Sequence, residues 1–320
     1  MDRLAWVVLF ATLMTNLWAT AQGIYVDNGN PYDNGTLEVQ TLSISQHDAP
    51  LLTKVYYPKK IDTYAVLFFT GGLLGEIPAE SYSDVLKAIA SHGFVVIGVD
   101  YLPLAAVSKN ERDSDGIQGQ VGDQTKKYLA ELQWVTQHLE ERIARQLNQT
   151  GLVPAFDHLA VSCHSAGCDP IVDMTMQNHT FSKAALFLEP FSYNFKTPVT
   201  FKMSALMLGT ELSTQKPACI YPAQGYDHFY DFWKCPRIVM NVKGHGHCEI
   251  LNPATFEACK FAHACKINPD SDLKKYRNFI QGISAAFLTT TLQGRDKLQY
   301  ITNTTALPVE LLEFKKDLDC

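Results

Sequence analysis

The chain has 320 residues, of which 46% are hydrophobic and 19% are charged, so it is long and apolar enough to fill a large core. This composition excludes a disordered or a fibrous chain. The formal net charge of −6, without any long basic block, argues against nucleic acid as a partner.

The N-terminus has the pattern of a secretory signal peptide. Arg3 precedes an apolar stretch, Leu4–Trp18, and a small-x-small triplet, "ATA", ends at Ala21. The stretch is too short and too polar to cross a bilayer comfortably, which takes about 20 apolar residues. The alternative is a buried N-terminal helix. We expect a signal peptide over residues 1–21, no stable membrane span, and a secreted or extracellular mature protein.

The rest of the chain alternates apolar strand patterns with helical patterns. Gly93 is a typical stop for the first helix, and the long second helix places Leu132, Val135, Leu139 and Ile143 on one face. In chain order, the pattern predicts a strand at 65–69, a helix at 83–93, a strand at 94–99, a helix at 125–147, strands at 159–162, 184–188, 205–208 and 238–242, and a helix at about 271–289.

Strands that are apolar on both faces and alternate with helices indicate a mostly parallel sheet covered by helices on both sides. No repeat, low-complexity tract or Pro/Gly linker divides residues 22–320, so we expect a single α/β domain. The polar segment 108–124 is predicted to be a surface loop or lid. Because sites in such sheets form at the carboxyl ends of the strands, those ends are where catalytic residues are expected.

Two further features fit export. Four N-x-[ST] glycosylation sequons occur, at Asn34, Asn148, Asn178 and Asn303. Eight cysteines lie in the second half of the chain, and some should pair in an oxidising compartment. Cys259 and Cys265 flank His263, but we favour a short disulfide loop there over a zinc site, and we expect no metal or other cofactor. The cysteines are Cys163, Cys168, Cys219, Cys235, Cys248, Cys259, Cys265 and Cys320.

The stretch "SCHSAGC" (162–168) resembles the nucleophile turn of serine hydrolases, G-x-S-x-G, with Ser165 at its centre. It follows a predicted strand and precedes a plausible helix, which is the context that such a turn requires. Residues two before and two after the serine must be small, because strand and helix backbones nearly touch there. Gly167 meets this condition, and Cys163 replaces the first glycine. The alternative is an ordinary serine in a loop.

A serine nucleophile needs a base and an orienting carboxylate, which follow it in this order in α/β-hydrolases: serine, acid, histidine. The segment "VKGHGHCEIL" (242–251) follows a predicted strand, and the spacing alone does not choose between His245 and His247. Both could instead be surface loop histidines. For the acid, Glu189 and Glu211 each lie at the end of a strand; either could be a solvated carboxylate.

The oxyanion hole should take one N–H group from Ala166, directly after the nucleophile. The other should come from the loop "TGGLLGE" (70–76), in which Gly71 and Gly72 allow the backbone to approach closely. The runs "GLLGEI" (72–77) and "GYDHFYDFW" (225–233) could line an apolar groove at this end of the sheet, although ordinary loop packing is an equal alternative.

These motifs, in their order and context, resemble those of chlorophyllases over roughly residues 52–290. Secreted and plasma-type platelet-activating-factor acetylhydrolases are more distantly similar. The serine turn is generic; the "IASHGF" junction and the joint order of the last three motifs are more specific. The motifs are "VLFFTGGLLG", "IASHGFVVIGVDY", "CHSAGC", "LMLGTELS", "YDHFYDFWKC" and "GHGHCEIL".

The resemblance implies an α/β-hydrolase fold and a role for each site residue. Ser165 would be the nucleophile, Glu189 the acid and His247 the base, which leaves Glu211 and His245 as the alternative acid and base. Gly72 and Ala166 would be the oxyanion donors. Cys219 and Cys235 fall where plant members carry a similar pair.

Three departures from the family pattern cluster at the site. "CHSAGC" stands for the usual G-H-S-R-G-G, Thr70-Gly71 stands for His-Gly, and Glu189 stands for an aspartate. The resemblance implies a carboxylic-ester hydrolase acting on a small lipophilic ester, above all chlorophyll, which yields chlorophyllide and phytol. The alternatives are a general lipid or carboxylesterase of the platelet-activating-factor acetylhydrolase type, and an inactive binding protein on the same fold.

Overall fold

The computed structural model describes residues 23–101 and 114–320, in which nine strands form one mixed sheet. The expected signal peptide and residues 102–113 of the predicted loop lie outside the described residues. The strands are β1 (Val39–Ile44), β2 (Leu52–Pro58), β3 (Thr63–Thr70), β4 (Phe94–Asp100), β5 (Val153–Ser165), β6 (Ala184–Pro190), β7 (Ser204–Thr210), β8 (Arg237–Val242) and β9 (Leu311–Asp317).

The sheet has the order β1-β2-β4-β3-β5-β6-β7-β8-β9. Strands β3 to β8 are parallel to one another, whereas at the two edges the pairs β1–β2, β2–β4 and β8–β9 are antiparallel. The six parallel strands are the six that the sequence pattern predicts. The edge strands β1 and β9 were not predicted, because they are only partly buried and lack a continuous apolar run. The sheet confirms the predicted fold class, a mostly parallel α/β-hydrolase sheet.

Helices cover both faces of the sheet and bury two apolar cores. One core includes Tyr128, Val135 and Ile171, and the other includes Leu86 and Ile280. The helices are α1 (Gly72–Gly75, one irregular turn), α2 (Ser83–Ser91), α3 (Ser114–Leu147), α4 (Cys168–Gln177), α5 (Tyr226–Phe232), α6 (Pro253–Phe261), α7 (Leu273–Leu292) and α8 (Gln299–Thr302).

The prediction of a loop over 108–124 is wrong for its second part, because residues 114–124 begin helix α3. Gln124 shows why the polar composition of this segment does not indicate a surface loop. Its side chain is buried, and its amide Nε2 donates to the carbonyl of Leu74 at 3.0 Å. The polar residue therefore serves a buried contact with the loop after β3 instead of facing solvent. No helix of the described part of the chain is both long enough and apolar enough to cross a membrane.

All eight cysteines are paired, as Cys163–Cys168, Cys219–Cys265, Cys235–Cys320 and Cys248–Cys259. The pairing of Cys219 with Cys235 that the resemblance implied is therefore wrong, and so is the short loop from Cys259 to Cys265. Cys235 precedes β8, whose first residue lies opposite Asp317 of β9, so the C-terminal Cys320 is its neighbour. Cys219 lies beside the segment after α6, where Lys266 donates its N–H to the carbonyl of Pro217.

Candidate active site

Ser165 occupies the sharp turn between strand β5 and helix α4. Its φ angle is +56°, in the left-handed region that residues other than glycine rarely adopt. Such strain persists only where the surroundings impose it, and it concentrates at functional sites. The side chain therefore stands at the carboxyl end of a central strand, in the strand–turn–helix context that the sequence pattern predicts.

The turn is closely packed against the loop after β3. A Cβ atom on Gly167 would lie 2.0 Å from the carbonyl oxygen of Gly71, so only glycine fits there. Thr70, which stands where the family has histidine, donates its hydroxyl to the carbonyl of Gly167 at 2.9 Å. Cys163, which replaces the first glycine of the motif, is fully buried and bonded to Cys168 at the start of α4. Two of the three departures thus tie the turn to its neighbours.

His247 is the histidine next to the serine. Its Nε2 lies 2.8 Å from Oγ of Ser165, and the ring is 4% exposed. The residue begins a 3₁₀ turn, His247–Ile250, that follows β8, so its position at a strand's carboxyl end is the expected one. The distance and the burial allow the imidazole to take a proton from the hydroxyl.

His245, the alternative base, is held elsewhere. Its Nδ1 lies 2.5 Å from Oε2 of Glu249, which is fully buried, and its ring stacks on that of Tyr276 with centroids 4.2 Å apart. A buried imidazole–carboxylate pair of this kind satisfies both polar groups inside the core. His245 therefore has a structural partner and makes no contact with Ser165 among the described hydrogen bonds.

Glu189 is the acid that faces His247. Its Oε2 lies 3.4 Å from Nδ1 of His247, and the side chain is almost fully buried at the end of β6. Its φ angle of +49° is a second left-handed position next to the site. Glu211, the alternative acid, accepts the N–H of Gly244 at 2.7 Å and so stabilises the turn after β8. Hydrogen bonds between catalytic groups are often long in unliganded sites. The 3.4 Å between Nδ1 of His247 and Oε2 of Glu189 is therefore compatible with an acid that orients its histidine.

Two hydroxyl groups behind Glu189 were not identified from the sequence. Ser213 donates to Oε2 of Glu189 at 2.5 Å, and Thr210 lies 2.6 Å from the Ser213 hydroxyl. Because Ser213 uses its proton for the carboxylate, Thr210 must donate to Ser213. The relay therefore runs Thr210–Ser213–Glu189–His247–Ser165. The segment "LMLGTELS" carries both hydroxyls, but the pattern gives no sign that they reach the acid.

The two expected oxyanion donors differ in what they bind. The N–H of Ala166 has no hydrogen-bond partner within residues 23–101 and 114–320. The N–H of Gly72 donates instead to the hydroxyl of Tyr82 at 2.9 Å. A Cβ on Gly72 would lie 3.3 Å from Cβ of Ser165, so the loop backbone packs directly against Ser165.

Tyr82 and His164 form a second buried network that the sequence reasoning missed. The Tyr82 hydroxyl lies 2.8 Å from Nδ1 of His164, and Nε2 of His164 lies 3.3 Å from the carbonyl of His247. Burial, with the nearby His247 adding to it, holds the pKa of His164 well below its usual range, so this ring is neutral. His164 is the variable residue of the G-x-S-x-G pattern, which is why the motif assigns it no role.

Two cavities open beside the site. The first has a volume of about 280 Å³ and is almost wholly apolar; besides Ser165 and His247, it is lined by Leu73, Ile77 and Leu251 and by the two disulfides of Cys219–Cys265 and Cys248–Cys259. The second, of about 310 Å³, is more polar and lies behind Glu189. The run 72–77 thus reaches the apolar cavity as expected, whereas Tyr226 of the run 225–233 lines the polar one and Trp233 is buried in the core.

One group of potential metal ligands occurs in the described part of the chain. The sulfur atoms of Cys248, Cys259 and Cys265 lie within 4.8 Å of one another. All three cysteines are in disulfides, and only a free thiolate is a zinc ligand. These sulfur atoms therefore form part of the apolar cavity wall and do not make a metal centre.

Comparison with known proteins places this chain in a family. Residues 27–317 match the chlorophyllase family. The chain is 23% identical to chlorophyllase type 0 of Chenopodium album over 303 residues, which cover 85% of this chain and 80% of the relative. It is 24% identical to chlorophyllase-1 of Arabidopsis thaliana over 268 residues, 77% of each chain. A chloroplastic chlorophyllase-1 of Citrus unshiu is 24% identical over 305 residues, 88% of this chain and 85% of the relative.

The family match extends over nearly all of the described chain, including each segment that surrounds Ser165. It confirms the resemblance to chlorophyllases that the motifs indicate, together with the α/β-hydrolase sheet. The chain belongs to the chlorophyllase family of carboxylic-ester hydrolases.

Proposed function

We propose that this chain is a secreted serine hydrolase that cleaves a lipophilic carboxylic ester through Ser165, His247 and Glu189. The observation that carries the proposal is the pair of contacts made by one imidazole. Nε2 of His247 lies 2.8 Å from the serine oxygen, and Nδ1 lies 3.4 Å from the glutamate oxygen. This is the geometry in which a serine hydroxyl becomes a nucleophile.

The reaction follows from these contacts in two halves. In the first, His247 takes the Ser165 proton while the serine oxygen attacks the ester carbonyl, and the N–H of Ala166 helps to hold the negative oxygen. His247 then gives this proton to the departing alcohol, which leaves an acyl-serine. In the second half, His247 takes a proton from water, the hydroxide oxygen attacks the acyl carbon, and the serine leaves with its proton restored.

Glu189 supports both halves without changing its own protonation. Its carboxylate accepts a hydrogen bond from Nδ1 of His247, so Nε2 is left unprotonated and faces the serine. When His247 becomes positively charged, the buried carboxylate stabilises that charge at close range. This role does not depend on whether the acid is aspartate or glutamate, provided that the longer side chain is held in place.

Chlorophyll is the substrate that we favour, and phytol and chlorophyllide would be the products. Three relatives that match most of this chain are named chlorophyllases. The apolar cavity beside Ser165 suits part of a phytyl chain, because apolar surface favours leaving water. At about 280 Å³ it is slightly smaller than the pockets that enclose a drug-sized molecule, so a flat macrocycle would lie outside it.

A general lipid or carboxylesterase of the platelet-activating-factor acetylhydrolase type is the second candidate. The same small apolar cavity favours it, because a shorter acyl or alkyl chain would fit there entirely. An inactive binding protein is less well supported, since an inactive scaffold would not need the serine, histidine and glutamate to be held in contact.

Secretion is part of the proposal and is supported by three features. The N-terminal 21 residues have a signal-peptide pattern. All eight cysteines are paired, as is usual in an oxidising compartment. The four sequon asparagines, Asn34, Asn148, Asn178 and Asn303, are all exposed and therefore accessible for glycosylation.

The test uses glycosylated protein secreted from a eukaryotic host. Chlorophyll a in detergent micelles is incubated with it, and phytol and chlorophyllide are detected by chromatography, with Ser165→Ala as the blank. A fluorophosphonate probe should label the unmodified protein and leave Ser165→Ala unlabelled. Labelling with turnover of short or phospholipid esters, but with no chlorophyllide, would favour the second candidate. Absence of labelling would overturn the hydrolase mechanism itself.

A further inference from the structure

The hydroxyl of Tyr82 joins the oxyanion loop, residues 70–76, to the nucleophile turn. Tyr82 ends a 3₁₀ turn, Ala79–Tyr82, and its side chain is almost fully buried. The hydroxyl lies 2.9 Å from N of Gly72 and 2.8 Å from Nδ1 of His164, the residue before the nucleophile. A single phenol oxygen thus contacts two of the segments that surround the reacting ester.

The directions of these hydrogen bonds follow from the groups involved. The Gly72 N–H can only donate, so the Tyr82 oxygen accepts from it. The Tyr82 proton then goes to Nδ1 of His164, which leaves the His164 proton on Nε2, facing the carbonyl of His247 at 3.3 Å. In the opposite tautomer, the Tyr82 proton would have no acceptor, and a bare ring nitrogen would face a carbonyl oxygen. The neutral state of His164 agrees with this assignment.

The network therefore connects three segments that must keep their relative positions during catalysis. They are the oxyanion loop at Gly72, the nucleophile turn at His164 and the base loop at His247. The rings of His164 and His247 also stack, with centroids 4.5 Å apart. On its other side, the loop is held by Gln124 and Tyr128, which both donate to the carbonyl of Leu74.

The hydrogen bond to Tyr82 occupies the N–H group of Gly72. The next N–H group along the loop, that of Leu73, is left to bind a substrate. The N–H of Leu73 has no hydrogen-bond partner in the part of the chain that the structure describes. Leu73 lines the apolar cavity together with Ser165. Its φ angle is +49° and that of Leu74 is +58°, two successive left-handed residues without a glycine. Backbone strain of this kind is maintained where a site requires it.

We propose that Tyr82 is a positioning residue that fixes the oxyanion loop, so that the Leu73 N–H, with that of Ala166, receives the oxyanion while the Gly72 N–H stays on the Tyr82 hydroxyl. The inference rests on the ester-hydrolase function proposed above and adds to it. It assigns one oxyanion donor to Leu73 instead of Gly72. It also gives a role to two buried side chains, Tyr82 and His164, that are not part of the triad.

The test removes the hydroxyl with Tyr82→Phe in the full-length secreted protein. We expect kcat for p-nitrophenyl butyrate to fall about 10- to 100-fold with KM nearly unchanged, because misplacing an oxyanion donor affects the transition state and not substrate binding. The affinity for a trifluoromethyl ketone, which forms an oxyanion on Ser165, should fall by a similar factor. The affinity for the butyrate product should stay the same.

Tyr56→Phe is the matched control. Tyr56 is equally buried in the same core, but its hydroxyl has no partner within the described residues, so the variant should keep full kcat and full inhibitor affinity. If Tyr82→Phe folds poorly, His164→Leu removes the acceptor while keeping Tyr82, and it should show the same loss. His164→Asn, whose Oδ1 can replace Nδ1 as the acceptor, should recover part of it.

Each outcome bears on the proposal. A folded Tyr82→Phe with unchanged kcat and inhibitor affinity would overturn it, and so would a rise in kcat, since that would make Gly72 a donor that Tyr82 blocks. A loss of thermal stability with unchanged kcat would mean a merely structural role and would also overturn it. Failure of the unmodified enzyme to hydrolyse esters would count against the proposed function, and not against the role of Tyr82 alone.

Discussion

Ser213 and Glu189 are joined by a 2.5 Å hydrogen bond to the same carboxylate oxygen that faces His247. The glutamate has one more methylene group than the aspartate usual at this position, so its side chain has more rotamers and its carboxylate is less restricted in position. Its other oxygen, Oε1, is buried and has no partner among the described residues. The Ser213 hydroxyl, supported by Thr210, is therefore the group that fixes the direction of the acid.

Replacing Ser213 with alanine should lower kcat about 10-fold. The hydrogen bond stabilises a buried carboxylate, and such bonds are worth about 1.5–3 kcal/mol. Without it, the Glu189 carboxylate can turn away from Nδ1 of His247, so the imidazole is held less firmly for proton transfer. The measurement is steady-state kinetics on a nitrophenyl ester, in which kcat should fall while KM stays nearly unchanged.

Thr214→Ala is the control for this prediction, because Thr214 is the next residue along the chain and is exposed. Ser213→Thr keeps a hydroxyl and should recover most of the rate. An unchanged kcat in a folded Ser213→Ala variant would mean that Ser213 does not position the acid.

The nucleophile and the base should each be essential. Ser165→Ala and His247→Ala should lower kcat by several orders of magnitude while the proteins stay folded, since removing one member of such a unit removes most of its effect. His245→Gln is the comparison, because glutamine can still donate to Glu249. It should keep kcat within a few-fold. The reverse ranking of the two histidines would show that the base is misassigned.

The two candidate acids should differ strongly in their effect on rate. Glu189→Gln should lower kcat about 10⁴-fold, because an amide can stabilise the wrong imidazole tautomer. Glu211→Gln should lower it only slightly, because its carbonyl oxygen can still accept the Gly244 N–H. Steady-state kinetics on both variants, with circular dichroism to check folding, decides between them. A larger loss in Glu211→Gln would move the acid to the end of β7.

The sequence predicts the central sheet well because each parallel strand is apolar on both faces. Strands β3 to β8 all contain the predicted runs. The edges are different, since β1 and β9 are half exposed and have no such signal. Long-range contacts explain the disulfides as well: Cys235 and Cys320 are 85 residues apart and meet only because β9 returns to β8.

In the site, too, the residues that a local sequence pattern marks can be predicted, whereas their partners from distant parts of the chain cannot. Ser165 and Glu189 lie at the ends of strands β5 and β6, and His247 lies in the turn that follows β8, so a rule about strand ends is enough to nominate them. The groups that hold them come from elsewhere in the chain. Tyr82 precedes His164 by 82 residues, and Ser213 follows Glu189 by 24. No local pattern marks a tyrosine or a serine that will be folded against a distant side chain.

Cys163 and Cys168 should support stability and not chemistry. Their disulfide closes a loop of about five residues under Ser165, and a loop this short is worth about 2 kcal/mol in the chain-entropy description. The double variant Cys163→Ala/Cys168→Ala should therefore unfold in less denaturant while keeping measurable kcat. Chemical denaturation and steady-state kinetics test the two parts separately. A folded but wholly inactive double variant would give the cysteines a role in catalysis.

Stability should depend on the protonation of Asp100, at the end of β4. Its carboxylate accepts the N–H of Ala79, the first residue of the turn that carries Tyr82, at 2.6 Å. Burial raises the pKa of Asp100 from 3.8 to about 6 in the folded protein. The folded state therefore holds this proton more tightly than the unfolded state. The resulting stabilisation is fully present below about pH 4 and is lost as the pH rises through about 6, at a cost of about 3 kcal/mol.

Asp100→Asn should remove this dependence, because an asparagine can accept the Ala79 N–H and does not ionise. We expect the variant to be more stable than the unmodified protein at pH 7 and about equally stable at pH 4, as measured by urea unfolding at both values. Glu257→Gln, which changes an exposed carboxylate on α6, should leave the pH dependence unchanged. If the stability of Asp100→Asn relative to the unmodified protein is the same at pH 4 and pH 7, Asp100 does not titrate between them. The turn that carries Tyr82 would then be held by an ionised carboxylate throughout this range.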